Sequence, residues 1–199
     1  MTVFEVMTRV MPKLSGQAVC TIFEAIGAVQ DVIVNHLLMR RSELLLSEVD
    51  ATVTFKAGVK RKYLPDEFLG LAGRPTLPDG TKLTPLDGVG VPGTETGQPL
   101  KYRVLGKILM VYPVPEEEVV ISLPFYARPE APTETDDELP FWGLFDSAFV
   151  DACVPVMSLG MAAVAEPGFA VTIQAQVDTL LKAQAMQDEQ LLADSINGI

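Results

Sequence analysis

Hydrophobic positions along the chain change their period several times, and each change predicts a new element. Near the start, Val3, Val6, Met7, Val10 and Met11 recur at intervals of three and four, the helical spacing. Thr2 and Glu5 bracket the first turn as a capping box, in which each side chain accepts from the other residue's free backbone amide. Pro12 cannot donate an interior helical bond and ends this first helix, and Ser15 is placed to cap the next. From 17 to 46, Val19, Ile22, Phe23, Ile26, Val29, Ile33 and Leu37 keep the period. This predicts a long amphipathic helix whose main charged exceptions are Glu24, Asp31 and Arg40-Arg41.

At Val49 the period becomes two. Val49, Ala51, Val53 and Phe55 alternate with Asp50, Thr52, Thr54 and Lys56 before Gly58, which predicts a strand and a hairpin returning along Val59, Arg61 and Tyr63. Pro65 ends that ladder or marks an edge, and 66–71 reads as a short turn of helix. Glycines, prolines and the turn signals Pro78-Asp79-Gly80 and Pro92-Gly93 make 70–99 a long loop. Loops of this length inside a compact domain usually serve contacts. Paired strands are predicted at Tyr102-Arg103-Val104-Leu105 and Ile108-Leu109-Met110-Val111-Tyr112 around Gly106-Lys107. A further strand spans 119–126 after the turn at Glu116-Glu117-Glu118, completing a small antiparallel sheet.

Acidic residues in 133–138 lead into Leu139-Pro140, which suits the positive end of a third helix. Phe141, Leu144, Phe145, Ala148, Phe149, Ala152, Val156, Leu159 and Ala163 give that helix its stripe, with a kink expected near Pro155 and an end at Pro167-Gly168. A fourth helix, 169–192, carries Ile173, Val177, Leu180 and Leu181, and 194–199 is left as a loose tail. The predicted fold is therefore α+β in a single domain, 1–199. Its core resembles a four-helix bundle built from 1–47 and 138–193, two helices from each end of the chain. A β-rich insertion, 48–137, contains the small sheet and the 70–99 loop.

Composition narrows the function. Of 199 residues 48% are apolar, and 26 acidic against 15 basic side chains give a formal charge of −11, so the chain can build a core but is ill suited to gripping a phosphate backbone. An acidic wall still lets DNA pass by repulsion. Cys20 and Cys153 belong to no CxxC or Cys/His cluster, which excludes a zinc site and points to reduced, buried thiols. The opening residues lack a signal peptide's basic and apolar regions, and the longest uncharged apolar run, 152–165, is shorter than the roughly 18–20 residues that cross a bilayer. No membrane partner is expected.

Candidate chemistry is sparse. His36 is the only histidine and reads as a helix-surface or interface residue rather than a catalytic base. The Gly88-Val89-Gly90-Val91-Pro92-Gly93 run lacks the strand before it and the helix after it that a dinucleotide site needs. Asp136-Asp137-Glu138 lacks the spaced ligands of a calcium loop and reads as helix capping, and Asp31 and Asp151 read as interface or capping groups. Lys60-Arg61-Lys62 is too short for a nucleic-acid patch and suits a solvated strand face. Trp142 reads as a core or subunit-contact anchor. Neither a catalytic constellation nor a cofactor or metal is expected.

The order of elements, with Tyr63-Leu64-Pro65-Asp66, Val111-Tyr112-Pro113-Val114-Pro115, Tyr126-Ala127-Arg128-Pro129 and the acidic Thr135-Asp136-Asp137-Glu138-Leu139-Pro140 leading into an alanine-containing helix, resembles the head–tail adaptor proteins of tailed bacteriophages. The likeness is to the adaptors of short-tailed phages related to tail tubular protein A. The resemblance implies a structural virion protein of the neck, assembled as a dodecameric ring between the portal protein and the tail nozzle or tail tube, with DNA passing through its lumen unbound. It implies that Leu191, Leu192, Ile196 and Ile199 are C-terminal anchors on the portal, and that the β insertion, with Val89 and Val91, faces the tail. Trp142 joins Val89 and Val91 as a subunit or tail contact. The 70–99 loop is longer than the family pattern, and bracing of neighbouring subunits is its alternative role. Another neck protein, a head-completion or tail-terminator protein, fits the same symmetry and charge. A ligand-binding intracellular domain using the glycines of 88–97 is the remaining alternative.

Overall fold

The computed structural model describes residues 1–47, 51–86 and 95–197, with the backbone alone for 191–197. The protein is α+β, and its chain divides into two compact units: a helical unit from 1–40 and 129–199, and a β unit from 41–128. The units meet in sequence at Arg40 and Pro129, where the periodicity had suggested 47 and 138.

In the helical unit, α1 (Val3–Val10) forms as its capping box requires, with Glu5 N–H donating to Thr2 Oγ1 at 3.3 Å and Thr2 N–H to Glu5 Oε2 at 2.9 Å. A 3-10 turn, Met11–Lys13, carries it past Pro12. The next helix, α2 (Ile22–Met39), begins five residues later than its apolar period suggested. A second capping box decides the start: Thr21 N–H donates to Glu24 Oε2 at 2.7 Å and Glu24 N–H to Thr21 Oγ1 at 3.2 Å. Arg41, at φ +52, ends it well before Leu46. By length and apolar content α2 is able to cross a membrane, and half of its residues are buried within the protein.

Five helices are described in place of the four expected. The third, α3 (Asp146–Leu159), starts after the expected position because Phe141, Trp142 and Gly143 all take positive φ, which no right-handed helix accepts. Pro155 lies inside it. Gly160, at φ +63, then breaks the chain before α4 (Met161–Ala165) and α5 (Pro167–Asn197). A Cβ at Gly160 would sit 3.4 Å from Val19 Cγ2, an ordinary contact, so it is the conformation that favours glycine there. Ile26, Ile33, Leu37, Phe145, Phe149, Cys153, Val156, Ile173 and Val177 form the core shared by α2, α3 and α5.

Among its described residues the β unit holds three small sheets rather than one. The largest has the order β2-β6-β5-β4, from β2 (Arg61–Tyr63), β4 (Thr84–Pro85), β5 (Lys101–Leu105) and β6 (Ile108–Tyr112). Its β5–β6 hairpin turns at Gly106, φ +56, as the sequence predicts, while β4 joins β5 in parallel. The expected hairpin from Val49 to Tyr63 does not form. Instead β1 (Ala51–Phe55) pairs antiparallel with β7 (Val119–Leu123), Ala51 opposite Leu123. The segment expected as a helical turn is the strand β3 (Phe68–Leu71), paired with β8 (Phe125–Ala127). Burial explains both outcomes, because Val53, Phe55, Phe68, Leu109, Val111, Ile121, Leu123 and Phe125 share one core.

Part of the supposed loop belongs to that core. Leu77 and Leu83 are buried in it, Thr76 bridges to both Lys82 and Ser122, and Asp79 accepts from Thr81 N–H at 2.9 Å across the Pro78-Asp79-Gly80 turn. That bond holds the Asp79 carboxyl below its ordinary pKa.

Candidate interaction surfaces

Among its described side chains, α5 is fastened along its first half. Ile173 (1% exposed) and Val177 (0%) enter the core, and a polar cluster beside them ties α5 to α2. Asp178 Oδ1 lies 2.7 Å from His36 Nε2, and Arg40 Nη2 donates to Asp178 Oδ2 at 2.7 Å. His36 is thus buried and paired rather than a surface histidine. The hydrogen bond from His36, followed by the nearby Arg40 charge, pulls the Asp178 carboxyl below its ordinary pKa.

Past Leu181 burial stops among the described side chains: every residue from 182 to 190 is exposed. The helix nevertheless continues to Asn197. The segment expected as a loose tail from 194 is therefore helical as far as 197. Leu191, Leu192 and Ile196 fall on this last stretch of α5, where the backbone alone is described, and Ile199, Val89 and Val91 lie outside the described residues.

Trp142 is not a core residue. It is 76% exposed at φ +48, between buried Phe141 (φ +71) and Gly143 (φ +82). The turn is fixed from within: Leu144 N–H donates to Phe141 O at 2.9 Å, and the Phe141 ring meets Phe145 edge-on with centroids 5.2 Å apart. Two non-glycine residues held at positive φ cost of the order of 1–3 kcal/mol each. The indole is consequently presented on a rigid, strained mount.

The acidic segment before it does not cap α3. Asp137 Oδ2 accepts from Thr133 N–H at 2.7 Å and Glu134 N–H at 2.9 Å, bonds that lower the Asp137 pKa. The same segment supplies carbonyls to the free amides of α1, with Val3 N–H donating to Asp137 O and Phe4 N–H to Thr135 O. Asp151, midway along α3, pairs with Lys13 at 3.3 Å. Lys60-Arg61-Lys62 lies at and beside β2, the outermost strand of its sheet, where charge discourages further pairing.

Both cysteines are free thiols. Burial, then the neighbouring Cys20, pushes the Cys153 thiol up to about 12. Cys20, which precedes α2 rather than lying within a helix, donates to Val156 O at 3.4 Å, and burial followed by the Glu24 charge raises its pKa. Among the described residues no group of three or more His, Cys, Asp and Glu side chains is arranged to hold a metal.

Between α3 and α5 runs an open trough. Two adjoining hollows of about 390 and 520 Å³ share Thr172 and Gln176. One flank is the α3 face Ser147, Asp151, Pro155 and Leu159, each four residues from the last. Among the described residues, Asp151 and Glu166 are the charged ones that line it.

Charge is divided unequally. The helical unit carries four cationic and fifteen anionic side chains, whereas the β unit carries eleven of each. All of the formal charge of −11 therefore belongs to the helical unit. No protein-family model matches the chain, and no curated protein matches it.

Proposed function

We propose that the chain is a head–tail adaptor of a tailed bacteriophage: a structural virion protein with no enzymatic activity, forming a homo-oligomeric ring, taken as dodecameric from the resemblance, between the portal protein and the tail nozzle or tail tube. The observation that carries this reading is α5. Its 31 residues extend about 46 Å. Residues 182–190 touch nothing that buries them, and an unpacked helical stretch of this length is marginal in water. A partner that covers Leu191, Leu192, Ile196 and Ile199 gives such a projection its use, and by this reading the partner is the portal. The helices would then form a bundle-like layer in the ring. The β unit, with Val89 and Val91, would face the tail, and Trp142 would contact a neighbouring subunit or the tail.

The charge division supports the same reading. Helical units of −11 around a channel would repel DNA from the wall and leave it free to slide during ejection. The test is the mass of the protein alone and mixed with portal from the same phage, by light scattering and electron microscopy. A monomer that adds a ring layer to the portal is the expected result. A well-folded protein that does not associate with portal would overturn the adaptor assignment and favour another neck position.

A further inference from the structure

We infer that the trough between α3 and α5 receives α1 and its 3-10 extension from a neighbouring copy of the chain. The inference rests on the ring reading and names the surfaces that would meet. Val3, Val6 and Val10 point α1 into its own core, which leaves Phe4 (54% exposed), Met7 and Met11 (50%) as an apolar ridge on the outer face. Their spacing of three and four makes that ridge continuous.

Length and charge both fit. From Ser147 to Leu159 the α3 flank of the trough runs about 18 Å, and Val3–Lys13, eight residues of α-helix followed by three of 3-10, covers about the same distance. The charged lining of the trough is anionic, Asp151 and Glu166. The helical unit has four cations, and two of them, Arg9 and Lys13, sit on this ridge-bearing segment. Within one copy Lys13 already answers Asp151 at 3.3 Å. Arg9 is exposed with no partner among the described contacts and is left for Glu166 of the neighbour.

Any side-by-side contact of two helical units brings two bodies of −11 together, so a seam that joins a cation-bearing helix to an anionic trough is the pairing with the least repulsion. The contact is heterologous, ridge to trough, which is the kind that closes into rings.

The experiment places a photoreactive p-benzoylphenylalanine at Gln176 of the full chain and irradiates it in two arms, assembled on portal and alone at high concentration. Cross-linked peptides are then sequenced. The expected product joins 176 to residues 1–13 of a second copy. Arg9→Glu and Glu166→Arg should each lower its yield about tenfold, and the two together should restore it. Cross-links to portal or to another part of a second copy overturn the inference, as does the lack of a cross-linked dimer in both arms. If no ring forms on portal yet the free protein cross-links through 1–13, the contact stands and the adaptor reading fails.

Discussion

Replacing Ile173 by alanine tests whether α5 is held by as few groups as the structure indicates. The side chain is 1% exposed, between α5 and the core of the helical unit, and among the described side chains of the same helix Val177 alone is comparably buried. Three buried carbons at about 0.8 kcal/mol each amount to about 2.5 kcal/mol of lost transfer free energy. A cavity that fails to collapse adds up to about 1.5 kcal/mol. Ile173→Ala should therefore cost about 2.5–4 kcal/mol in urea unfolding followed by far-ultraviolet circular dichroism. For a unit of about 110 residues that corresponds to a fall in melting temperature of about 10–16 °C. Native-state hydrogen exchange should show the loss of protection greatest in α5. Val171→Ala, on the exposed side of the same turn, should stay within about 0.5 kcal/mol of the parent. A loss below about 1 kcal/mol for Ile173→Ala, or one no larger than that of Val171→Ala, would refute the argument.

Other expectations can be checked on the same protein. Asp178 has a folded pKa below its ordinary value of 3.8, so its contribution is present above that value and is lost as pH falls through the folded pKa. The gap in melting temperature between the parent and Asp178→Asn should accordingly be constant near neutrality and close on acidification. Thr21→Ala removes the acceptor for Glu24 N–H and should cost about 1 kcal/mol by denaturant titration. Alkylation followed by mass spectrometry should leave Cys153 unmodified in the folded protein at neutral pH and modify it as soon as urea unfolds the chain. Trp142→Ala should change stability by no more than about 0.5 kcal/mol. By the proposed function it should weaken subunit or tail association, and unchanged association in a pull-down would remove Trp142 from that role.

Elements whose determinants are local were legible in the sequence. The β5–β6 hairpin has both strands and its turn within a dozen residues, and the Thr2–Glu5 box states its helix start outright. The box at Thr21 and Glu24 uses the same signal, but the apolar period running through Val19 masked it. Pairings across long stretches of chain were not legible. Nothing near Val53 announces Ile121 as its partner, and alternation alone favoured the nearer Val59. The late start of α3 depends on three positive φ values that periodicity cannot report, since Phe141 keeps the spacing of a helical residue. Of the candidate surfaces, the exposed Trp142 and the apolar end of α5 were visible as residue types. The His36–Asp178 pair, 142 residues apart, was not, because neither side chain has a local reason to be polar and buried.

The two-part origin of the helical unit has a consequence for the chain as it is made. Residues 1–40 leave the ribosome before the β unit, yet α2 finds its cover on α3 and α5, which are encoded after it. At about 5–20 residues per second, the intervening 88 residues take roughly 4–18 s to synthesise. Throughout that interval Ile26, Ile33 and Leu37 lack the α3 and α5 surfaces they bury against, whereas by its end the β unit, continuous in sequence, has all of its described strands. A nascent chain halted at Arg128 thus holds everything its sheets require and, in α2, an apolar helix waiting for partners not yet translated.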